Sequence, residues 1–310
     1  MCYSAQLRSA YKTWIRSFGG VMGIRAFSKL YFERQSDPKI KIPKAVDAMF
    51  LDPQTDEERE VKALIDAFNA EQTTKLEQDL FKQRKRLADA ERTLLTKVTK
   101  KATDDQRIAT DKIDQALGKL ADLRRVEPKA RDGRFFPGNY VPVMIWEDGK
   151  RVVKPMRYLC RPAGKPSNYD ARFPGLYNAR RDNLERFWRG QFGVTHGVVP
   201  VTAFYENVDR DGKNAVLEFR PQPEQDMLVA CLWSRWTPPA GTDEPELLSF
   251  AAITDEPPPE VSAAGHDRCI IPLKPENIDA WLQPERGNLA AQYAILDDRA
   301  RPYYEHRLAA

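Results

Sequence analysis

The stretch "FFPGNYVPVMIWEDGKRVVKPMRYL", residues 135–159, predicts two paired β-strands and thereby decides the fold class. Apolar and polar residues alternate on both sides of Asp148 and Gly149, a dipeptide typical of the two-residue turn of a β-hairpin. Gly and Pro also interrupt the stretch near its start, which favours short strands over helices. The stretch therefore predicts an antiparallel hairpin.

Further short apolar runs follow towards the C-terminus. They are "GVVPVTAFYENV" (197–208), "AVLEF" (215–219), "MLVACLWSRW" (227–236) and "LLSFAAIT" (247–254). Strands at such short spacing indicate antiparallel sheets that are partly closed or sandwiched. Two amphipathic pieces, "NARRDNLERFWRG" (178–190) and "KPENIDAWLQP" (274–284), are expected to form short helices. The predicted class is α+β, with antiparallel sheets partly closed into a barrel-like fold.

Residues 56–126 are rich in Lys, Glu, Asp, Leu and Ala, and they contain one Gly and no Pro. A heptad seam runs through Leu76, Leu80, Gln83, Leu87, Ala90 and Leu94, and its spacing returns at Ile113, Leu117 and Leu120. A polar break at 103–106 separates the two parts. The pattern predicts an inserted antiparallel helical hairpin. Its sixteen basic and fifteen acidic side chains favour a structural or partner-binding element over a DNA-binding helix.

Composition limits the class of protein. The chain has 310 residues, of which 42% are hydrophobic and 10% aromatic, so it can bury a large core. It lacks a run of about 18 apolar residues and a secretory signal pattern, so we expect a soluble, cytoplasmic protein without a membrane partner. Residues 1–50 carry nine Lys or Arg against three Asp or Glu. Such a basic arm suits nucleic acid, although a solvated basic face is the commoner explanation.

Cysteine and histidine are sparse. Four cysteines lie far apart without a CxxC pair, and there are three histidines, so neither a metal site nor a disulfide framework is expected. Glycine-rich phosphate loops and the GxSxG and HExxH motifs are absent, which argues against the familiar hydrolase and nucleotide-binding classes. We expect no cofactor.

Cys2 follows the initiator Met directly. Removal of Met1 leaves Cys2 with a free α-amine beside its thiol, and this 1,2-aminothiol can condense with an aldehyde to a thiazolidine. An inert residue is the simpler explanation for a cysteine at this place.

Three polar residues lie beside apolar strand segments: Asn178, Glu206 and His266. Glu206 ends a hydrophobic run, where partial desolvation raises the pKa of a carboxyl enough to shuttle protons. An exposed Glu paired with an Arg, and a structural His, are the alternatives for Glu206 and His266.

These motifs together resemble a known family. "MC" at the start, "NAR" at 178–180, "FYE" at 204–206 and "HDRCIIPL" at 266–273 occur in the order of the SOS response-associated peptidase (SRAP) family. The resemblance implies a single SRAP domain over residues 1–310, with its core in 1–10 and 131–310 and an insertion at 56–126. Members usually carry Gly-Arg after the Cys, where this chain has Tyr3 and Ser4.

The resemblance also implies an activity. A SRAP-like protein senses abasic sites in single-stranded DNA and crosslinks to them through Cys2, once Met1 has been removed autocatalytically or by an aminopeptidase. Glu206 then moves protons, Asn178 orients the amine or the reacting oxygen, and His266 polarises the sugar oxygen. Arg180 is expected to contact a phosphate, and Arg157 and Asn139 are weaker candidates for the same DNA channel.

Two other functions stay open. One is a cysteine-type peptidase that acts on other proteins, and the other is a DNA-docked scaffold whose helical hairpin binds a protein partner. On either DNA-binding interpretation, the protein is expected in the cytoplasm, associated with the nucleoid when bound.

Overall fold

The computed structural model describes residues 3–7 and 11–309. The chain divides into two compact units, one built from residues 1–58 and 130–310 and the other from residues 59–129. The larger unit contains all the described β-structure, and the smaller unit is a pair of long helices.

The strands of the larger unit belong to one extended sheet system. In chain order they are β1 (Ser4–Leu7), β2 (Val21–Met22), β3 (Arg134–Phe135), β4 (Tyr140–Glu147), β5 (Lys150–Tyr158), β6 (Asn178–Arg180), β7 (His196–Arg210), β8 (Lys213–Gln222), β9 (Met227–Trp236), β10 (Leu247–Asp255), β11 (Cys269–Ile270), β12 (Pro272–Leu273) and β13 (Tyr303–Leu308). The helices are α1 (Tyr11–Ser17), α2 (Ile24–Ser36), α3 (Lys44–Asp47), α4 (Asp56–Thr96), α5 (Lys100–Arg124), α6 (Tyr169–Arg172), α7 (Pro259–Ala263), α8 (Ile278–Leu282) and α9 (Leu289–Asp297).

The predicted hairpin is formed by β4 and β5. Glu147 pairs with Lys150, and the two residues between them have positive φ angles, 50° at Asp148 and 76° at Gly149. A type I′ turn needs this backbone at both central positions, and Asp-Gly adopts it at little cost. The hairpin prediction is confirmed.

Five strands close into a ring. Strand β4 pairs with β5, β5 with β10, β10 with β9, β9 with β7, and β7 returns to β4. The last contact is one residue pair, Met144 with Val198, and the β5–β10 contact is short and parallel. The ring is therefore not a true barrel. The expected α+β class with partly closed antiparallel sheets is confirmed.

The inside of the ring is apolar. Val199, Val229 and Phe250 line a common buried space there, and each such side chain stabilises the fold by roughly 1.5–3 kcal/mol relative to exposure. Gly197 lets the strands approach closely, because a Cβ at this position would lie 2.9 Å from Val143 Cγ1.

Strand β7 extends beyond the ring and joins a second layer. Its first part pairs with β9, while residues 204–210 pair with β8, and β1 lies along its other edge at residues 201–205. Strands β3 and β13 extend this layer on the two sides. The start of the described chain therefore lies beside the outer half of β7.

Helices α4 and α5 form the predicted antiparallel hairpin. Arg86 pairs with Asp105, and Arg124 pairs with Glu77, each at 2.5 Å, so the chain directions are opposed. Between the helices, apolar side chains form a cluster of Leu80, Ala116, Leu120, Leu76 and Ile113. The inserted helical hairpin is confirmed.

Two details of the hairpin prediction are wrong. The helices separate at residues 97–99, where the Thr99 side chain accepts a hydrogen bond from Ala102 N at 3.2 Å, and not at 103–106. Leu117 is 42% exposed, because α5 turns Ala102, Ala109 and Ala116 towards α4 instead. A seam of small residues lets the helices approach, and leucine spacing alone cannot reveal it.

The predicted helix at 178–190 is also wrong. Residues 178–180 form β6, which adds to β10 in parallel, and a short 3-10 turn and irregular turns follow. The helix at 274–284 is confirmed as a 3-10 turn followed by α8. The sequence analysis missed helices α1 to α3. In the part of the chain that the structure describes, no helix is both long and apolar enough to cross a membrane.

Candidate active site

Glu206 lies on the outer half of β7 and is fully buried. Side chains alternate along a strand, so Glu206 shares the side of Phe204, which stacks on Phe219 of β8. Loss of water around the carboxylate raises the pKa of Glu206 to about 8, and the backbone N–H of Tyr3 acts in the opposite direction. Glu206 is therefore mostly protonated at neutral pH.

His266 follows the turn that ends α7. Gly265 makes this turn with a φ of 99°, which disfavours any other residue. The Nε2 atom of His266 lies 3.2 Å from Glu206 Oε2. Burial lowers the pKa of His266 to about 4, so the ring is neutral at pH 7.

The hydrogen bonds of His266 indicate where its proton lies. Nδ1 is 2.9 Å from the Arg268 carbonyl oxygen, which can only accept, so Nδ1 carries the hydrogen and Nε2 accepts. Nε2 therefore presents its lone pair 3.2 Å from the Glu206 carboxyl. The Arg268 N–H also approaches Nδ1, at a longer 3.3 Å, and would require the other tautomer. Either way, the pair places an acid that is protonated near neutral pH beside a neutral base, the two groups that general acid–base catalysis needs.

Asn178 begins β6 and is positioned by the pairing of β6 with Ala252 of β10. Its side chain is buried, and neither Nδ2 nor Oδ1 has a hydrogen-bond partner among residues 3–7 and 11–309. A buried amide without partners costs about 1–3 kcal/mol per unsatisfied group, so such a group usually serves a ligand. The amide offers both a donor and an acceptor.

Thr254 on β10 also has a buried polar group without a hydrogen-bond partner among the described residues, and the sequence analysis missed it. Its hydroxyl is buried and has no hydrogen-bond partner within the described residues. Thr254 pairs with Arg180 on β6 and with Ile270 on β11, so it lies between the two strands that lead to the candidate residues. A threonine in a strand carries no sequence signal of this kind.

Three cysteines are buried and form no disulfide: Cys160, Cys231 and Cys269. Burial raises the pKa of each thiol, to about 12 for Cys160. Thiols held in the protonated form are poor nucleophiles. Cys2 lies outside the described residues, and Tyr3 is where the description begins. The Tyr3 N–H donates to the Tyr205 carbonyl at 3.2 Å, so the chain runs beside Glu206 at this point.

Arg180 is half-exposed and paired with a neighbour. Its guanidinium donates to both carboxylate oxygens of Asp182, at 3.2 and 2.7 Å, and Arg268 approaches the same carboxylate at 3.9 Å. Both arginines thus surround one acidic group at the edge of β6.

Arg157 and Asn139 have structural contacts. Arg157 donates to the buried Asp170 and to the Leu159 carbonyl at 3.2 Å. The Asn139 side chain accepts from Phe136 N at 2.9 Å and closes the turn before β4. Among the described residues, the hydrogen bonds and ion pairs of Arg157 and Asn139 go to other partners than Asn178, Glu206 and His266.

His196 is structural. It is buried against Trp281, and burial lowers its pKa to about 3. Within residues 3–7 and 11–309, no group of three or more His, Cys, Asp or Glu side chains could hold a metal ion.

Three of the solved structures similar to the chain come from two bacteria. A Bacteroides thetaiotaomicron protein is 18% identical and covers 55% of this chain and 74% of its own, with a TM-score of 0.46. A Bordetella bronchiseptica protein is 19% identical and covers 60% and 90%, with a TM-score of 0.47. A phage-related protein of the same organism is 20% identical and covers 60% and 84%, with a TM-score of 0.44. No curated protein matches.

The family comparison is more decisive. The sequence model described as "SOS response associated peptidase (SRAP)" matches residues 99–309, about two thirds of the chain. The matched region contains Asn178, Glu206 and His266. The chain therefore belongs to the SOS response associated peptidase (SRAP) family.

Proposed function

We propose that this protein senses abasic sites in single-stranded DNA and forms a covalent thiazolidine crosslink with them through Cys2. The observation that carries the proposal is the buried Glu206–His266 pair, whose Nε2–Oε2 separation is 3.2 Å, at the point where the described chain begins. Membership of the SRAP family supports a role in the response to DNA damage.

Cys2 is the reagent in this proposal. One peptide bond joins it to Tyr3, and consecutive Cα atoms are about 3.8 Å apart across a trans peptide. The backbone of Tyr3 reaches the Glu206 carboxyl and the Tyr205 carbonyl. The three internal thiols are buried and protonated, so they do not compete as nucleophiles.

The reaction consumes an aldehyde and releases water. After hydrolysis of the Met1–Cys2 bond, the α-amine attacks C1′ of the ring-opened abasic sugar and forms a carbinolamine. Loss of water gives an imine. The thiol sulfur then adds to the imine carbon while the nitrogen takes up the thiol proton, which closes the five-membered ring. No oxidant or metal is needed.

The polar residues of the site divide the proton transfers. Glu206, protonated near pH 7, gives its proton to the leaving hydroxyl of the carbinolamine, and His266 accepts a proton from the attacking amine. The free amide of Asn178 holds the amine or the sugar oxygen by hydrogen bonds without adding charge. The same pair can activate water for removal of Met1, although an aminopeptidase would serve as well.

Intact-mass spectrometry tests the proposal. Purified protein is incubated with a uracil-containing single strand that uracil glycosylase has converted to an abasic one. We expect loss of Met1 and one covalent DNA adduct. Cys2→Ala should give no stable adduct, but a weak imine that borohydride traps, because the α-amine survives without the ring-closing thiol.

Acetylation of the amine separates this function from a peptidase. A thiol peptidase keeps its activity when the amine is blocked and the thiol is free, whereas crosslinking requires both groups. Equal amounts of heat-stable adduct from Cys2→Ala and the unchanged protein would rule out the thiazolidine mechanism.

A further inference from the structure

Helix α4 carries a stripe of exposed residues along one side. Residues at a spacing of seven lie on the same side of a helix, and along this side they are Ala67, Thr74, Phe81, Ala88 and Leu95. All five are exposed, Phe81 by 75% and Leu95 by 88%. We call these five residues the α4 stripe. Two large apolar side chains with small residues between them form a seam that a second helix can cover.

The charge of α4 changes sign at Phe81. Residues 66–80 carry four acidic side chains and one basic one, whereas residues 82–96 carry five basic ones and two acidic ones. Glu77 and Arg86 belong to these sets and are paired with α5, and the imbalance persists without them. The two segments are equally long and have opposite net charge. Helix α4 therefore contains the electrostatic complement of its own surface.

A two-fold axis at Phe81 would use this complementarity. In a symmetric dimer both copies present the same surface, so residues before the axis on one chain meet residues after the axis on the other. An antiparallel pair of α4 helices then places Phe81 against its own copy. It also places Leu95 opposite Ala67 and Ala88 opposite Thr74, so each larger side chain faces a smaller one. A parallel pair would bring segments of like charge together.

Glu71 and Arg92 flank the α4 stripe, because each follows a member of the stripe by four residues. The axis brings Glu71 of one copy beside Arg92 of the other, and symmetry repeats this pair. Within one chain, Glu71 Oε1 lies 2.6 Å from Lys75 Nζ, and Arg92 Nη1 lies 3.2 Å from Asp89 Oδ1. Exposed ion pairs of this kind contribute little to stability, so both residues can exchange partners at small cost.

We propose that the α4 stripe is the interface of a homodimer in which two α4 helices pack antiparallel about a two-fold axis at Phe81. The occupant is a second copy of this chain, because the charges and the apolar residues of the stripe complement themselves in one register. The overlap covers residues 66–96 of both helices, about 45 Å at the rise of an α-helix. The inference does not depend on the proposed function. Each dimer carries two candidate active sites.

Sedimentation equilibrium of the full chain tests the dimer. We expect a monomer–dimer equilibrium that weakens as the salt concentration rises, because salt screens exposed ion pairs. Phe81→Ser should raise the dissociation constant of the dimer about 100-fold or more, since the interface loses both copies of its central aromatic side chain. Circular dichroism checks that the variant keeps its helices.

Phe32→Ser is the matched control for this change. Phe32 is 69% exposed on α2, outside the stripe, so its loss should leave the monomer–dimer equilibrium unchanged. An equal loss of association in Phe32→Ser would mean that the α4 stripe has no special role.

Charge reversal tests the antiparallel register. Glu71→Arg and Arg92→Glu should each raise the dissociation constant about 10-fold, because each variant places like charges together twice in its dimer. An equimolar mixture of the two variants should associate nearly as tightly as the unchanged protein, since both pairs in the mixed dimer again join opposite charges. A parallel pair of helices, or a contact through another surface, gives no such recovery.

Three outcomes would overturn the inference. They are a monomer at every concentration, including one whose hairpin binds a different protein, a dimer that Phe81→Ser leaves intact, and a mixture that associates as weakly as the separate charge variants.

Discussion

At the scale of single residues, the site combines two ionisable side chains, Glu206 and His266, and burial disfavours the charged form of each. Burial raises the pKa of the Glu206 carboxyl and lowers that of the His266 imidazole, so Glu206 is neutral at pH 7, where water would ionise it, and His266 stays neutral down to about pH 4. Opposed shifts of this kind are typical of an acid–base pair. The two groups face each other at 3.2 Å, so a protonated acid lies beside a neutral base.

The first prediction concerns the rate of crosslinking. Glu206→Gln keeps the shape of the protonated acid but cannot transfer its proton, so we expect crosslinking to slow by about 10²-fold while affinity for DNA stays nearly unchanged. Single-turnover gel assays and anisotropy measure the two quantities separately. A loss of affinity in proportion to the loss of rate would make Glu206 a structural residue.

The second prediction concerns stability against pH. Because the pKa of Glu206 is raised from 4.5 to about 8, its contribution to stability is complete below pH 4.5 and is lost as the pH rises through about 8. Glu206→Gln removes this loss. We measure the free energy of unfolding of both proteins by thermal unfolding at about pH 5 and about pH 9. Relative to the unchanged protein, the variant should be more stable at the higher pH than at the lower one, by a few kcal/mol.

His266 provides the contrast. Its pKa is lowered to about 4, so its contribution is present above pH 6.5 and is lost only as the pH falls through about 4. His266 therefore changes the stability of the fold only at acidic pH. An equal stability difference between the two proteins at both pH values would mean that Glu206 is already ionised in the fold.

At the scale of elements, the helical hairpin is a unit with its own internal contacts. Leu80, Ala116 and Leu120 satisfy its seam, and ion pairs cross between its helices. None of the residues proposed to react lies in it. We propose that residues 1–310 form a single SRAP domain in which residues 56–126 are an insertion. Phe81 and Leu95 are exposed on this insertion and are available to a protein partner.

The third prediction follows from this independence. Glu77 and Arg124 are paired at 2.5 Å, so a short Gly/Ser linker between them can replace residues 78–123. We expect the shortened protein to crosslink within several-fold of the full chain, because Glu58 and its contact with Lys12 at 2.7 Å are kept. A shortened protein that is folded by circular dichroism but inactive would show that the hairpin builds part of the DNA channel.

At the scale of the whole molecule, the modest net charge of +4 hides local pairing of basic groups. Arg180 and Arg268 both face Asp182, so neither presents a full positive charge to a phosphate. A surface ion pair of this kind contributes little to stability, about 0–1 kcal/mol. DNA can therefore displace Asp182 at small cost.

The fourth prediction uses this competition. Arg180→Ala should weaken binding of single strands with and without a lesion by similar factors, and should lower the salt slope by ~0.7, because phosphate contacts carry no lesion information. Asp182→Ala should act in the opposite direction, since it releases both arginines. Unchanged affinity at low salt in both variants would remove Arg180 from the binding surface.

The sequence by itself determined the features that neighbouring residues control. Asp148 and Gly149 specify their turn through local backbone preference, and the heptad spacing of 56–126 specifies long helices, because both signals act over a few residues. The order of the short motifs was sufficient to identify the family. Leu117 was misplaced because the partner helix, and not the spacing, decides which face is buried.

Only the tertiary structure decided how distant segments meet. The parallel contact of β5 with β10, the sharing of β7 between the ring and the outer layer, and the contact of Glu206 with His266 all join residues that are far apart in sequence. The hydrophobic run before Glu206 indicated the raised pKa of its carboxyl, whereas the lowered pKa of His266 arises from burial by distant segments. Arg268 likewise reaches Asp182 only through the fold, whereas Arg180 is a sequence neighbour of the same carboxylate. Long-range packing depends on the whole set of competing contacts, whereas turns and helices depend on their nearest neighbours.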